Sequence, residues 1–297
     1  MPAPQVSVVL AVKDESKYIA KAIESILAQQ NVTLEVIVVD DASSDDTVEI
    51  VESMLPGDTR LRLTRNPGVG KCSAFNHGVS LATARFVCIF AGDDLMPSGS
   101  LAARYELVRS EPDDVPVVGL CKIISISTEK RFDGTVVPRK PGRGALSGVS
   151  PLMNRLALHR IFPVPESLPN EDTWMELAVS HFPGWRIIHS DIIGCQWRVH
   201  EGNSINMMVP FSDYHRRISS RINAVPMFYE RFGAQLTDKS RAELRAKMAC
   251  EKARLRGSLI GILASPVGLV DKLRSLSIAN AFLYGLRQRL YGILSGW

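Results

Sequence analysis

The segment Arg85-Phe-Val-Cys-Ile-Phe-Ala-Gly-Asp-Asp-Leu-Met-Pro97 is the part of the sequence that decides the fold. Its apolar run over residues 86–90 predicts a strand buried on both faces of a parallel sheet. Two adjacent carboxylates, Asp93 and Asp94, follow where this strand ends. Ligands of open α/β sheets bind beyond the carboxyl ends of the strands, and Mg2+ or Mn2+ prefers carboxylate and phosphate oxygens. The pair is therefore a candidate cation site, with capping of a helix that begins near Pro97 as the alternative.

Three further predicted strands precede this one, at residues 7–12, 34–39 and 61–64, and helical patterns follow them at residues 16–30, 47–54 and 71–84. This alternation predicts an α/β fold with a mostly parallel central sheet and right-handed crossovers. Polar residues follow the end of each strand, and they are Asp14, Asp40-Asp41, Asn66 and Asp93-Asp94. We therefore expect carboxylates from separate strands to meet at one edge of the sheet.

Composition restricts the class of protein. The chain has 297 residues, 45% of them hydrophobic, which is enough for a large core, and its net charge of +4 is too small to indicate a nucleic-acid partner. Five scattered cysteines without a CxxC pair argue against a zinc site and favour reduced thiols in a cytoplasmic protein. The start of the chain lacks the features of a secretory signal, and no apolar stretch has the length of a membrane span.

Two familiar nucleotide-binding motifs do not fit this sequence. No GxGxxG joins the first predicted strand to the first helix, which disfavours a dinucleotide-binding fold of the usual type. Gly70-Lys71 is similar to the end of a Walker phosphate loop, but Arg65 occupies the earlier glycine position and Cys72 replaces Ser or Thr. A Walker-type site is therefore not expected.

Four segments together resemble family 2 glycosyltransferases. They are Ser7-Val-Val-Leu-Ala-Val-Lys-Asp14, Val38-Val-Asp-Asp-Ala-Ser-Ser-Asp-Asp-Thr47, Asn66-Pro-Gly-Val-Gly-Lys-Cys-Ser-Ala-Phe-Asn-His-Gly78 and Phe90-Ala-Gly-Asp-Asp94. The resemblance covers roughly residues 5 to 205 and depends on the order of the four segments, because each alone is weakly specific. It implies a Rossmann-like GT-A fold, inversion, a nucleotide diphosphate sugar as donor, and Mg2+ or Mn2+ as cofactor.

The resemblance also implies roles for single residues. Asp93 and Asp94 match the metal-binding acids, but the family often has a further Asp where this chain has Ala91, so which of the pair ligates the metal directly stays open. Asp14 could instead cap a helix, Asp41 could serve the turn, and Asn76 could be a packing residue. The residues implied to bind the nucleotide sugar are Asp14, Asp40, Lys71, Asn76, Asp93 and Arg198.

A second acidic pair, Glu171-Asp172, begins a predicted amphipathic helix whose inward side chains are Trp174, Leu177 and Ala178. Acids at a helix N-terminus are favoured by the helix dipole, so capping is the alternative to catalysis. The pair resembles the Glu-Asp motif of the family, which implies that Asp172 is the catalytic base and that Glu171 assists it or contacts the acceptor.

The segment Arg198-Val-His200 follows two predicted strands at residues 185–189 and 192–199. It resembles an Arg-x-His segment that implies a diphosphate contact for Arg198 and a metal ligand in His200. A lone histidine is more often structural, and that alternative remains. The basic, glycine-rich and proline-rich residues 129–148 predict a long irregular loop, either a mobile loop near the site or a solvated surface loop.

From residue 211 onward the sequence becomes helical and basic. Helices are predicted from residue 211, over residues 238–263, and again from Ser265-Pro266, with apolar stripes beside Lys and Arg residues. A basic amphipathic helix can lie on an anionic membrane, pack on the catalytic domain, or join a second copy of the chain. We therefore expect a GT-A catalytic domain over residues 1–210 and a helical C-terminal extension over residues 211–297.

The resulting hypothesis is a metal-dependent inverting glycosyltransferase that acts on a saccharide or lipid-linked acceptor, without a nucleic-acid partner. By resemblance, its setting is cell-surface polysaccharide or glycolipid assembly, in the cytoplasm or on the inner face of the plasma membrane. Two alternatives stay open: a nucleotidyltransferase, and a non-catalytic module that binds a nucleotide sugar. The first would be expected to carry a Gly-rich, Arg-containing loop after the first strand, where this chain has Lys13-Asp-Glu-Ser16.

Overall fold

The computed structural model describes residues 3–130, 132–199 and 209–290. The chain forms two compact units. The sheet unit contains the described residues up to Met175 together with Gly184–Val199. The helical unit contains Glu176–Pro183 and the described residues after Val199.

Within the described residues of the sheet unit, eight strands form one sheet. The strands are β1 (Val6–Val12), β2 (Leu34–Asp40), β3 (Leu61–Arg65), β4 (Phe86–Ala91), β5 (Val117–Ile126), β6 (Val136–Val137), β7 (Leu152–Asn154) and β8 (Arg186–Arg198). Their order is β3-β2-β1-β4-β7-β5-β6, and β8 pairs with β5. Strands β1 to β4 are parallel, as is the β5–β8 pair, whereas β6 and β7 run antiparallel to their neighbours. The predicted mostly parallel α/β sheet is confirmed.

Helices follow the strands in the predicted alternation. Those that begin in the sheet unit are α1 (Ile19–Leu27), α2 (Thr47–Met54), α3 (Lys71–Leu81), α4 (Ser100–Val108), α5 (Arg155–Ile161) and α6 (Asp172–His181). The predicted helices at residues 16–30 and 71–84 are therefore shorter than expected. Residues 185–199, predicted as two strands, form the single strand β8, whose pairing with β5 shifts register between Leu120 and Ile123. A local irregularity of this kind interrupts the sequence pattern without ending the strand.

The helical unit continues with α7 (Phe211–Ile222), α8 (Ala224–Phe232), α9 (Asp238–Leu255), α10 (Leu259–Ala264), α11 (Leu269–Ser277) and α12 (Ala281–Arg289). In the described part of the chain, every helix falls short of the length or the apolar character that a bilayer span requires. The predicted single helix over residues 238–263 is wrong, because Gly257 adopts a φ of 66° and ends α9. The Ser258 N–H donates to the Ala253 carbonyl at 3.0 Å and the Gly257 N–H to the Arg254 carbonyl at 2.9 Å, which together form a Schellman motif.

A further helix boundary also differs from expectation. The helix predicted to start at Ser265-Pro266 starts instead at Leu269, with Gly268 as its N-cap. The Ser265 hydroxyl donates back to the Gly261 carbonyl at 2.7 Å, so this serine completes the end of α10 and does not cap α11.

Helix α3 packs directly against the parallel strands. A Cβ atom added at Gly78 would overlap Val9 Cγ1 and would lie 2.9 Å from Val39 Cγ2. Val9 and Val39 are fully buried in β1 and β2, so the glycine sets how closely α3 approaches the sheet. This approach positions Lys71, the first residue of the helix.

We expect Gly78→Ala to lower the free energy of unfolding by about 1–3 kcal/mol, because overpacking a dense interior forces side chains or backbone to move. The matched control is Gly285→Ala in α12, where an added Cβ meets nothing within 4 Å. Because alanine is the better helix former by about 1 kcal/mol, the control should be neutral or stabilising. Urea unfolding of both variants measures the difference, and equal effects would contradict the close packing of α3.

Candidate active site

Asp14 follows β1, and its carboxylate joins the loop after β1 to the loop after β2. Its φ is 55°, and its Oδ1 accepts hydrogen bonds from Ser44 N at 2.7 Å and Ser44 Oγ at 3.0 Å. These hydrogen bonds lower the pKa of the Asp14 carboxyl. The N-cap of α1 is Tyr18, so the helix-cap alternative for Asp14 does not apply.

The acids that end β2 have different surroundings. Asp40 is 4% exposed, and its Oδ1 accepts a hydrogen bond from Ser43 N at 3.1 Å. Asp41 Oδ1 accepts from Asn66 Nδ2 at 2.7 Å and from Gly70 N at 2.9 Å. Asp41 therefore serves the turn, as the sequence alternative had it, and fixes the loop that leads into α3.

Two acids in these loops were missed by sequence reasoning. Asp45 accepts hydrogen bonds from Ser16 N and Thr47 N, each at 3.0 Å, and hydrogen bonds from these two residues lower the pKa of Asp45 to about 2 against the opposing effect of burial. Burial, together with the charges of Asp93 and Asp94, raises the pKa of Glu15 to about 8. The only sequence signal for either acid was its position in a polar turn after a strand.

Asp93 and Asp94 differ in exposure and in hydrogen bonding. Asp94 is 1% exposed, and its two carboxylate oxygens accept from Arg198 N at 2.8 Å and from Cys195 Sγ at 3.3 Å. Burial and the neighbouring charge of Asp93 raise the pKa of Asp94 to about 7. Asp93 is partly exposed. Of the pair, Asp93 is therefore the carboxylate that a ligand can reach, whereas Asp94 joins β8 to the end of β4.

A divalent cation fits these residues, although the described residues contain no group of three or more His, Cys, Asp or Glu side chains placed to enclose one. Mg2+ is typically bound by one or two carboxylates, water and substrate phosphates, so a full protein cage is not required. Besides burial, the charges of Asp93 and Asp94 raise the pKa of Glu15 and the charge of Asp93 raises the pKa of Asp94, so a cation would relieve this concentration of negative charge. His200, the third ligand expected from the sequence, lies outside the described residues.

Arg198, the last residue of β8, adds positive charge beside these acids. Its Nε donates to the Asp93 carbonyl oxygen at 2.8 Å, and its guanidinium lies 4.9 Å from the centroid of the Tyr18 ring. Leu95 and Gln196 exchange backbone hydrogen bonds of 3.1 and 2.8 Å, which fix the end of β8 next to this segment. A planar cation held in this way suits phosphate oxygens.

The second acidic pair lies at the start of α6. Glu171 is 2% exposed, and its Oε1 lies 3.4 Å from Lys71 Nζ. Burial raises the pKa of Glu171, and the ion pair only partly opposes this shift. For Lys71, desolvation acts to lower the pKa, but Glu171, Asp172 and Asp93 outweigh it and raise the pKa above its ordinary value. Lys71 therefore lies within electrostatic reach of both acidic pairs.

Asp172 is half-buried, and each of its carboxylate oxygens accepts a hydrogen bond. Gly148 N donates to Oδ1 at 2.7 Å and Asn170 Nδ2 donates to Oδ2 at 2.9 Å. A Cβ at Gly148 would lie 2.5 Å from Glu171 Oε1 and 2.6 Å from Asp172 Oδ1, so only glycine fits there without a shift of these carboxylates. Sequence reasoning missed both residues, and their only signal was a glycine ending the irregular loop and an asparagine beside the acidic pair.

Two buried acceptor atoms beside Asp172 have no hydrogen-bond partner in the described protein. They are Asn170 Oδ1 and Glu171 Oε2. A buried polar atom without a partner costs about 1–3 kcal/mol, so such atoms in native proteins often indicate a missing ligand or water.

The side-chain amide of Asn76 has a structural role. Its Nδ2 donates to the Val164 carbonyl and its Oδ1 accepts from Val164 N, each at 2.8 Å. Both ends of the amide are thus used to tie α3 to the segment after α5, which favours the packing alternative over a donor contact.

The loop over residues 129–148 contains β6 and is attached to β8. Gly142 N donates to the Asp191 carboxylate at 2.9 and 3.0 Å, and Arg143 Nη1 lies 2.9 Å from His189 Nε2. Gly148, the last residue of the loop, donates its N–H to Asp172, so the loop reaches the candidate site.

The candidate site residues that the structure describes all belong to the sheet unit. They supply a carboxylate accessible to a cation, an arginine suited to phosphate, and an oriented carboxylate near a lysine. This combination can bind an anionic leaving group and can remove a proton from a hydroxyl.

Comparisons with known proteins agree with this chemistry. The profile described as Glycosyl transferase family 2 matches residues 7–151. The GalNAc(5)-diNAcBac-PP-undecaprenol beta-1,3-glucosyltransferase of Campylobacter jejuni is 36% identical over 101 residues, which are 33% of this chain and 33% of that protein. The aligned part spans only 38%, 26% and 33% of the lengths of the first three curated relatives.

Solved structures extend the comparison to the fold. TarS of S. aureus in complex with UDP-GlcNAc has a TM-score of 0.61 at 18% identity, covering 98% of this chain and 88% of that chain. The mannosyltransferase PcManGT of Pyrobaculum calidifontis, in complex with GDP-Man and Mn2+, has a TM-score of 0.59 at 19% identity, covering 97% and 76%. Residues 7–151, which hold the strands up to β6, are thus similar to family 2 glycosyltransferases, and the chain has a GT-A fold.

Proposed function

We propose that this protein transfers a sugar from a nucleotide diphosphate sugar to an acceptor hydroxyl, with inversion at the anomeric carbon. The observation that carries the proposal is the position of Lys71, 3.4 Å from Glu171 and within electrostatic reach of Asp172 and Asp93. An acid of the donor-side pair and an acid of the acceptor-side pair thus interact with the same lysine, which supports a site that binds the two substrates together. A single displacement requires this proximity.

The donor is proposed to bind along the ends of β1, β2 and β8. Asp40 and Asp14 would contact the nucleoside, and Arg198 would bind the diphosphate through its planar fork of donors. Lys71 would approach the donor from the start of α3. The nucleotide sugars bound to TarS and PcManGT support this class of donor.

Asp93 is the proposed direct ligand of Mg2+ or Mn2+, with the diphosphate of the donor as a further source of oxygen ligands. When bound, such a cation neutralises the charge of the departing diphosphate. Asp94 would support Asp93 by holding the end of β4 against Arg198 and Cys195. His200 remains a proposed ligand from the sequence, and Mn2+ in the PcManGT complex supports the choice of metal.

Asp172 is the proposed base that takes the proton of the acceptor hydroxyl. The hydrogen bonds from Gly148 N and Asn170 Nδ2 restrict the rotation of its carboxylate, which favours a productive orientation toward that hydroxyl. The unpartnered Asn170 Oδ1 and Glu171 Oε2 would accept hydrogen bonds from further hydroxyl groups of the acceptor. A saccharide or lipid-linked acceptor supplies such donors.

The proposed setting is cell-surface polysaccharide or glycolipid assembly on the cytoplasmic face of the plasma membrane. The undecaprenol-linked substrate in the name of the Campylobacter relative supports a lipid-linked acceptor. Residues 1–210 would be the catalytic domain and residues 211–297 an extension outside the chemistry.

Asp172→Asn should lower kcat by about 10²–10⁴-fold while leaving KM for the donor unchanged, because only proton removal in the transition state is lost. Transfer is measured as nucleoside diphosphate released from a panel of UDP- and GDP-sugars in the presence of acceptor. The matched control is Asp238→Asn, since Asp238 is likewise the first residue of a helix, α9.

If helix capping were the whole role of Asp172, the two variants would lose stability alike and Asp172→Asn would keep its kcat. Release of pyrophosphate from a nucleoside triphosphate in the presence of a sugar 1-phosphate would instead indicate nucleotidyl transfer, and binding without turnover of any donor would indicate a non-catalytic module.

Asp93→Asn should remove the part of the thermal stabilisation by UDP or GDP that depends on Mn2+. Asp94→Asn should retain the Mn2+-dependent stabilisation, because Asp94 is buried and accepts hydrogen bonds from Arg198 N and Cys195 Sγ. Each variant is compared with its own melting temperature without ligand, since ligand binding to the native state raises Tm. The reverse pattern would make Asp94 the metal ligand, and retention in both variants would contradict the site.

Asn170→Ala should lower kcat about 10- to 100-fold at unchanged donor KM, because it removes a hydrogen bond to the charged base. Its acid limb in the pH–rate profile should move to higher pH, since a carboxylate that loses a donor binds its proton more tightly. Asn280→Ala is the control, as Asn280 caps α12 and should affect stability alone. A higher donor KM with an unchanged profile would contradict a positioning role.

A further inference from the structure

The exposed apolar side chains of the protein are concentrated in one stretch. Thirteen large apolar side chains are exposed among the described residues, and ten of them lie between Leu255 and Leu290. Ile260 and Phe282 are each 81% exposed, which is typical of a side chain on an open surface. We call these ten residues the apolar face: Leu255, Leu259, Ile260, Leu263, Leu269, Val270, Leu273, Phe282, Leu286 and Leu290.

The apolar face is formed by packed helices. In both α10 and α11 the exposed residues recur at i, i+1 and i+4, and in α12 they recur at i and i+4, so each helix presents one stripe. The same stretch also supplies buried residues, since Ile262, Ile278 and Tyr284 belong to the two small cores of the helical unit. Lys272 Nζ of α11 donates to the Leu263 carbonyl at the end of α10 at 2.7 Å, which joins the two helices.

Positive charge is concentrated in the same residues. Between residues 255 and 290 the sequence has five basic residues, Arg256, Lys272, Arg274, Arg287 and Arg289, against the single acid Asp271. This net charge of +4 equals that of the whole chain, so the rest of the protein is neutral in sum. A partner that complements both properties must combine an apolar interior with an anionic surface.

Two kinds of occupant could cover such a face, and charge separates them. A symmetric pair of chains would bring this net positive charge against its own copy, and like charges across an interface cost several kcal/mol. An anionic bilayer attracts the basic side chains and accepts the Leu, Ile and Phe side chains between its headgroups. The helices of the stretch are too short to span a bilayer, which agrees with helices that lie in the interface.

We infer that the apolar face of α10, α11 and α12 binds the surface of an anionic lipid bilayer, with Ile260 and Phe282 inserted between headgroups and the basic residues next to lipid phosphates. This inference does not rest on the proposed glycosyl transfer, because binding to lipid requires neither donor nor acceptor.

The test is co-sedimentation of the full chain with vesicles of phosphatidylcholine alone or of phosphatidylcholine with phosphatidylglycerol. Binding is expected only to the mixed vesicles and should weaken as NaCl is raised, because salt screens the attraction. The double variant Ile260→Ser, Phe282→Ser should reduce partitioning tenfold or more, on the order expected for losing two inserted apolar side chains. Arg256→Ala and Arg289→Ala should each reduce it about fivefold.

Val69→Ser is the matched control, because Val69 is also 81% exposed but lies in the sheet unit. Loss of this apolar side chain should leave vesicle binding unchanged. Circular dichroism and the melting temperature confirm that each variant is folded. Absence of binding to phosphatidylglycerol vesicles would overturn the inference. So would sedimentation equilibrium showing a dimer that the Ile260→Ser, Phe282→Ser change dissociates, because a second copy would then cover the face.

Discussion

The ion pair between Lys71 and Glu171 is the interaction on which the arrangement of the site depends. Glu171 is almost completely buried, and a buried carboxylate without a counter-charge is strongly unfavourable. The positive charge of Lys71 is unfavourable in its own helix, because the N-terminus of α3 carries the positive end of the helix dipole. Each residue therefore needs the other, and their pairing brings the starts of α3 and α6 together.

Several smaller contacts keep Lys71 where the pair requires it. Asp41 accepts hydrogen bonds from Asn66 and Gly70, and so fixes the loop that enters α3. Gly70 has a φ of 94°, a conformation that favours glycine, at the N-cap of the helix. At the other end of α3, Gly78 seats the helix on the sheet. The chemistry proposed for Asp172 thus depends on residues that touch no substrate.

The sequence allowed the fold to be predicted, together with the position of the acids at one edge of the sheet. Strands β1, β2 and β4 are apolar runs bounded by polar turns, and burial on both faces leaves a clear local pattern. Acids at strand ends could be placed at one edge of the sheet because parallel strands end together. Sequence reasoning missed Gly148, which contacts Asp172 from 24 residues away, and Asn170, whose side-chain direction two residues before Asp172 leaves no sequence pattern. The choice between the two interpretations of Asn76 depended on its pairing with backbone 88 residues away.

The helix boundaries that differ from expectation have a local cause that periodicity does not detect. The apolar spacing continues from α9 into α10, so the pattern predicted one helix, whereas Gly257 in the left-handed region ends α9. The break separates α10 from α9, and the buried Ile262 anchors α10 while its neighbours remain exposed. The glycine therefore sets how the apolar side chains after residue 255 are presented.

Charge is divided between two parts of the sequence in agreement with the ligands proposed for each. The acids after β1, β2 and β4 make the site edge unfavourable for anions in general, so the proposed diphosphate would depend on local cations, Arg198 and Lys71, and on the proposed metal. The stretch from residue 255 to 290 has the opposite balance, and carries the whole net charge of the chain. An anionic surface is therefore attracted to the C-terminal helices, whereas the acid-rich strand ends repel it. Specific binding of a small anion and non-specific attraction to a charged surface are thus assigned to different residues, and a change in one need not alter the other.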